Sequence, residues 1–500
     1  MIEFFVSQTS RRNAMLTLAQ AEMSVTASNT FGIPFNQEAL DVILQALIDA
    51  RDGKGDVKPD GSDIVMDAKL NPASRKDVDL RRLRMVCTKA ARQTAYYGKV
   101  FNEIGLNPEL MGWDDFSKIP LTHKDAVRDR AGEFMCRGEQ VDFLTTTHGT
   151  TGMPTHIGFS KNEMDAFAKL CAIFNATIGD FLPSDIFVNF ASSRALLGMM
   201  TGIDCMQRLG TTFINGGQAD PAEALAMLAR EFNIPGKPPK PTMAGTYPSF
   251  LGEIIEAGHR LGYKASDFTL RRFDLGGEIA TKGLKRRSDE FFGPVPFYEG
   301  YGMTETWGMG GEYCSQGHLH YGTGGGLWEF INPETVEPGG SGEPAGPGEP
   351  ASIVATGLPP YREVTLIIRL DTQDMVRTLT EPPTCEAAHL PSASPILGKK
   401  KLSVRHAGGW TFPRDVMEAL ESVDAVPLPA RYGFWAKDDG VAVEVVARKV
   451  DDKTRKQVGE SLEAHGVPVR ELTLVDNRGQ LTHAFPLRCD LKETGFAPVH

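Results

Sequence analysis

The chain has 500 residues and a formal net charge of −11, more length than one hydrophobic core usually serves, so two or more domains are expected. The acidic balance argues against a general affinity for nucleic acid or an anionic membrane, and no basic arm reverses it. Seven cysteines, an odd number scattered through a long chain, read as reduced thiols or metal ligands, not as a disulfide framework.

The opening MIEFFVSQTSRRNAML carries Glu3 and no long apolar run, so a secretory signal is not expected. No segment approaches the roughly eighteen uninterrupted apolar residues of a membrane span, and a cytoplasmic protein without nucleic-acid or membrane partners is the expectation. Residues 1–80 read as a helical extension, in which ALDVILQALIDAR (39–51) has helical apolar spacing. A packing appendage or subunit contact suits it, and with it a homodimer. From Asp79, DLRRLRMVCTKAARQTAYYGKVFNEIG reads as one long amphipathic helix.

TTTHGTTGMPTHIGFS (145–160) is dense in hydroxyls and glycines. Glycines let backbone N–H groups approach an anion and threonines add donors, but the pattern is not a Walker loop. Alone it is a Thr/Gly surface loop. Beyond it, the helical KNEMDAFAKLCAIFNATIG alternates with the strand-like DIFVNF, TTFING and LRRFDLGG, an α/β layered pattern. LGGEIA (275–280) ends a strand-like run, where nucleotides bind in open α/β sheets; YEGYGMTE (298–305) follows, and RLDTQD (369–374) supplies an acid. PGGSGEPAGPGEP (338–350) reads as a surface turn. The last hundred residues read as a compact α+β unit, with helices in TFPRDVMEALESV and KTRKQVGESLEAHG and strands in VAVEVVARKV and VRELTLVD. The expected division is an extension (1–80), a large α/β nucleotide and substrate domain (81–397) and a small mobile C-terminal domain (398–500), hinged at Gly398 to Lys401.

Taken in order, the Thr/Gly loop, the Gly-Gly-Glu turn, the YGMTE run and Arg369 five residues before Asp374 resemble the motifs of the adenylate-forming superfamily, within it the phenylacetate–CoA ligase-like branch. The resemblance runs from about residue 80 to the C-terminus. It implies that Thr147, Gly149, Thr150, Thr151 and Gly152 wrap the triphosphate of ATP. It implies further that Gly276, Gly277 and Glu278 flank the adenine, with Glu299 and Tyr301 beside them, and that Asp374 accepts the ribose hydroxyls. Thr304 would meet the α-phosphate and Glu305 would hold Mg²⁺, a hard cation suited to a carboxylate. The implied reaction is attack of a carboxylate on the α-phosphate, followed by transfer of the acyl group to CoA. A pocket for an aromatic acid would use Phe190, Ala191, Tyr247, Pro248 and Trp307; a buried aromatic is otherwise ordinary core.

The chain departs from the pattern at several positions. His148 stands for Ser and Met153 for Lys in the loop. In GKKKLSVRHAGGWTFP (398–413), Lys399 replaces an Arg, and Lys401 and Leu402 occupy paired acidic positions. The family's C-terminal GKxxR lysine is Phe485 here, with Arg488 kept; Lys492, Lys399, Lys400 or Lys401 are candidate substitutes. These changes motivate a second reading, an adenylate-forming enzyme with a non-CoA second step, such as an amide synthetase or a nitrite-activating diazotase of an arylamine. A third is a nucleotide-binding, non-catalytic relative.

EYCSQGHLH (312–320) and TCEAAH (384–389) hold soft ligands. Cys314 with His318 or His320, and Cys385 with His389, would complete a closed Cys₂His₂ set for structural zinc; reduced cysteines and surface histidines are the plain alternative. Resemblance to branch members with a metal at an EC…GxH segment favours His320 over His318.

Overall fold

The structure, a computed structural model, describes residues 72–490 except 148–154, 178–180, 192–195, 218, 308, 323–324, 360, 386 and 389. The helical expectation for 39–51, and Lys492, lie outside the described residues.

The long helix expected from Asp79 is two helices, Pro72–Gln93 and Ala95–Glu103. Thr94 divides them: its hydroxyl donates back to the Ala90 carbonyl at 2.8 Å and accepts from Tyr97 N–H at 3.2 Å. A threonine offers the backbone this alternative to continued helix, so the break is a cap.

The centre is an eight-stranded sheet. Thr212–Asn215, Ile186–Asn189, Met243–Thr246, Arg272–Gly276 and Phe297–Tyr301 run parallel in that order. Gly311–Tyr313, Leu319–Tyr321 and Ser392–Ala393 then continue it antiparallel. Alternation sorts the two faces. Val188, Ala244, Phe273 and Leu275 point into a core with Leu225, Phe250, Leu251, Ile254 and Phe291 of the helices Pro221–Ala229, Pro248–Leu261 and Lys282–Phe292. Phe187 and Met243 pack on the other face against Leu170, Ile173 and Met206 of Lys161–Thr177 and Leu196–Leu209. Covered on both faces, Ile186–Val188 and Met243–Ala244 are continuously apolar and buried, as central parallel strands are.

A five-stranded sheet stands beside it, built on the antiparallel strands Gly326–Ile331, Pro350–Gly357 and Leu370–Arg377, with Thr122–His123 parallel to the last. Gly398–Lys399 also pairs with Leu370–Arg377. The expected hinge therefore begins inside this sheet. Beyond it, Tyr432–Lys437, Gly440–Val446 and Val469–Val475 form a three-stranded sheet. The helices Pro413–Glu421 and Asp452–Ala464 cover it around Val416, Leu420, Val443, Val458 and Leu462. Among the described residues no helix is long and apolar enough to cross a membrane.

Candidate active site

The carboxyl ends of the parallel strands converge on one cleft, the place where open α/β sheets bind ligands. The Thr/Gly loop springs from the hairpin Phe143–Thr146/His156–Phe159. Its neck is closed by Thr147 N–H to the Thr155 carbonyl at 2.9 Å and Thr155 N–H to the Thr147 hydroxyl at 3.3 Å. Gly149, Thr150, Thr151 and Gly152 lie outside the described residues, as do His148 and Met153.

At the end of Arg272–Gly276 the chain turns through Gly277, φ +77°, a conformation that favours glycine. A Cβ there would lie 3.2 Å from Tyr247 and 3.3 Å from Arg488 Nε. The next carboxylate, Glu278, accepts from Ser249 N–H at 3.0 Å and from Arg488 N–H at 2.5 Å. The turn thus presents backbone to the cleft, while the Glu278 side chain ties three segments together. Glu299 pairs with Lys285. Arg369, 1% exposed, grips Glu329 at 3.1 and 2.9 Å and the carbonyl of Ser117 at 2.8 Å. It is a staple beneath the site.

Four charged groups meet in the cleft. Tyr301 donates to one Asp374 oxygen at 3.0 Å, and Lys399 Nζ lies 2.6 Å from the other. Lys124 Nζ lies 3.1 Å from Glu305 Oε1; Glu305 follows Thr304 in a short 3₁₀ turn, Thr304–Thr306. Burial pushes the Glu305 carboxyl up, but the Lys124 ammonium outweighs it and the pKa falls below the usual range. Burial likewise lowers Lys124, yet Glu305 and Asp374 raise it overall. At Lys399 burial wins over Asp374, with Lys124 repelling, and its pKa falls to about 8. Burial beside Asp374 holds the Tyr301 hydroxyl far above its usual range.

Lys124 is the residue that reading the sequence missed. It begins the helix Lys124–Asp129 and sits in LTHKDAV, which carries no signal beyond a helix start. Phe485, in the position of the family's lysine, stacks on Tyr432 with centroids 4.9 Å apart and planes 12° apart. It packs against the cores on both sides of the domain junction.

The proposed aromatic wall divides. Phe190 is fully buried against Phe250, on the core face of the sheet, so it has no surface to offer a ligand. Pro248 is buried in the first turn of its helix. Tyr247, nearly buried, faces the Arg488 guanidinium at 5.3 Å. Ala191 is half-buried in a turn held by the Asn189 side chain. Trp307 tilts over Phe167 at 4.6 Å and lies against Gly198; among the described residues its buried indole N–H has no hydrogen-bond partner.

The two soft clusters meet. One ligand atom from each of Cys314, His318, His320 and Cys385 lies within 4.8 Å of the others. Cys385 Sγ is 3.2 Å from His320 Nε2, and among the described residues the buried His318 Nδ1 has no hydrogen-bond partner. His320, the expected ligand, is in the cluster, and His318 joins it. The turn closed by Gly317 N–H to the Cys314 carbonyl and Cys314 N–H to the His318 carbonyl brings both histidines in; His389 lies outside the described residues. Two thiols and two imidazoles at this spacing fit a tetrahedral metal.

Residues 72–357 match the family of AMP-binding enzymes. The chain is 27% identical over 388 residues to a phenylacetate–coenzyme A ligase of Thermus thermophilus, covering 76% of this chain and 82% of that one. It is 29% identical over 329 residues to a phenylacetate–coenzyme A ligase of Escherichia coli, covering 63% and 71%. Among solved structures, 2-hydroxyisobutyryl-CoA ligase in complex with 2-HIB-AMP superposes with a TM-score of 0.67 at 18% identity, over 83% of this chain and 89% of that one. The protein belongs to the AMP-binding enzymes, in the phenylacetate–CoA ligase-like branch of the adenylate-forming superfamily, and is a ligase of the AMP-forming type.

Proposed function

We propose that this enzyme activates an aromatic carboxylic acid with ATP and passes the acyl group to CoA. The observation that carries the reading is the convergence of Lys124, Glu305, Tyr301, Asp374 and Lys399 at the carboxyl ends of the parallel strands. Asp374 accepts the ribose hydroxyls, the backbone of Gly276 and Gly277 borders the adenine, and Thr147 and its loop wrap the phosphates. Glu305 would hold Mg²⁺, whose chemistry here is to neutralise phosphate charge. A substrate carboxylate oxygen attacks the α-phosphorus and the bond to the β-phosphate bridge breaks, releasing pyrophosphate. The CoA thiolate then attacks the acyl carbon, and AMP leaves with the bonding pair. The protein contributes position and charge, not a covalent nucleophile.

Lys124 takes the part of the ammonium that the chain lacks at Phe485. It stands on the large domain, close enough to Glu305 to reach a carboxylate or phosphate oxygen beside it. The test is pyrophosphate and AMP release across a panel of aryl, arylacetic and aliphatic acids, with and without CoA. Release that depends on an aromatic acid, with thioester formed only when CoA is present, is expected; release indifferent to the acid, or none with any acid, would refute it.

The cluster of Cys314, His318, His320 and Cys385 would hold a structural zinc ion, with no ligand position left for chemistry. Elemental analysis should find one zinc per chain, lost in Cys385→Ser.

A further inference from the structure

One row of side chains on the helix-covered side of the large sheet is polar where the mechanism needs nothing polar. In Arg272–Gly276, Phe273 and Leu275 point into the core with the helix Pro248–Leu261, so Asp274 points the other way. Asp274 is in register with Tyr298. Two residues on, Gly300 shares that face and pairs with Glu312. The three side chains therefore form a continuous patch across three neighbouring strands. Tyr298 donates to the Glu312 carboxylate, and the Glu312 charge is felt at Cys171 of the helix Lys161–Thr177 above. Arg272 pairs with Asp274 and lies over the Tyr298 ring at 4.5 Å.

These strands are central in the sheet, yet the row is not sealed: Asp274 keeps 23% of its side-chain surface exposed, and Tyr298 and Glu312 are half-buried. The row lies close to the strand ends, where Gly276 follows Asp274 by two residues and Tyr301 follows Tyr298 by three. Burial pushes the Asp274 carboxyl up despite Arg272, and holds the Tyr298 hydroxyl far above its usual range.

We infer that Asp274, Tyr298 and Glu312 form the floor of the acyl pocket and select an aromatic acid bearing a hydrogen-bond donor, an amino or hydroxyl group, on the ring away from its carboxylate. The inference rests on the function proposed above and deepens it. Two carboxylates and one guanidinium leave the floor acidic, which suits N–H or O–H donors and repels a second carboxylate. An apolar ring end would strip water from these groups and return nothing, a penalty that makes sites built to bond a substrate hydroxyl or amine reject the analogue lacking it. At the other end Lys124 awaits the carboxylate, so the pocket is polarised to match.

The test is kcat/KM for acid-dependent pyrophosphate release with matched 4-amino, 4-hydroxy, 4-methyl and unsubstituted benzoic and phenylacetic acids. A donor-bearing acid should exceed its methyl isostere by about 10²-fold or more, and the amino and hydroxyl arms identify the donor used. In Tyr298→Phe and Glu312→Gln, both close in shape to the native side chains, the ratio of donor to methyl substrate should fall at least tenfold. Methyl or unsubstituted acids equal to or better than the donor acids would overturn the inference while leaving aromatic adenylation standing. An unchanged ratio in both variants would overturn these residues as its readers. Absence of pyrophosphate release with every acid would overturn both.

Discussion

Lys124 and Lys399 each hold a carboxylate that the proposed chemistry needs free. Lys124 must leave Glu305 if Mg²⁺ is to bind there, and a four-carbon stem lets it swing to a nearby oxygen anion. Lys124→Met should therefore lower pyrophosphate release on the order of 10²-fold, mostly in kcat, as loss of a positioned donor does, with Lys124→Arg retaining part of it. Lys399 titrates at about 8, below which it is an ammonium and above which it is a neutral amine. At pH 8 about half of it is nucleophilic, whereas an ordinary lysine is almost wholly protonated. Mass spectrometry after brief treatment with an amine-acylating reagent at that pH should find Lys399 among the fastest-labelled lysines, slowed by saturating ATP; labelling no faster than at surface lysines would contradict it. Glu305, Tyr301 and Asp374 were legible in the sequence because each sits in a short run whose order is informative. Lys124 was not, because its partner lies far along the chain and only the fold brings them together. Nor could a sequence say that Phe190 faces the core, since one residue of register decides which face of a strand a side chain takes.

The elements were largely legible, because apolar runs of strand length between helical periods have few alternative readings. The long N-terminal helix was the miss: Thr94 carries no sign that its hydroxyl will cap, not continue. Contacts between elements were not legible at all. The helix Lys282–Phe292 meets Pro413–Glu421 so closely that a Cβ on Gly283 would lie 2.4 Å from the backbone of Glu421. Around that contact Thr281 donates to the buried Glu421 carboxylate, and Glu418 accepts from Lys282 N–H at 2.9 Å. Backbone cannot yield as a side chain can, so Gly283→Ala should destabilise by about 1–3 kcal/mol. Gly202→Ala is the matched control. It lies inside the helix Leu196–Leu209 with nothing among the described residues within 4 Å of its would-be Cβ, and there the methyl should stabilise by about 0.5–1 kcal/mol through helix propensity. Urea unfolding of the two variants should move in opposite directions.

At the scale of the molecule, the C-terminal unit is seated on the large one by charge and by apolar contact together. Arg431 spans Glu253 at 2.7 Å and Asp490 at 2.6 Å, and Cys489 N–H donates to Ser249 at 3.2 Å. Phe485 fills the seam between the two cores. Glu256 is the hub, accepting from Arg287 at 2.7 Å, Arg448 at 2.5 Å and Leu428 N–H at 3.0 Å. Burial raises its carboxyl, but Arg448, Leu428 N–H and Arg287 outweigh that and hold it below the usual range. Any rotation of the C-terminal unit between half-reactions must break this set, and a lysine carried on that unit could not act without it. Lys124, Glu305 and Asp374 all lie on the large unit, so adenylation here should depend little on the seam. Glu256→Ala separates the two. It leaves Arg287, whose side chain is 8% exposed, without its carboxylate in a half-dry interface, a loss of about 3 kcal/mol. Urea unfolding should then show the C-terminal unit releasing earlier, with proteolysis favoured near Lys400 to Ser403. If only the proposed second step requires the seam to rearrange, pyrophosphate release should change less than tenfold while thioester formation shifts more. Equal loss of both steps would mean that adenylation also needs the C-terminal unit in place, and that Lys124 does not act alone.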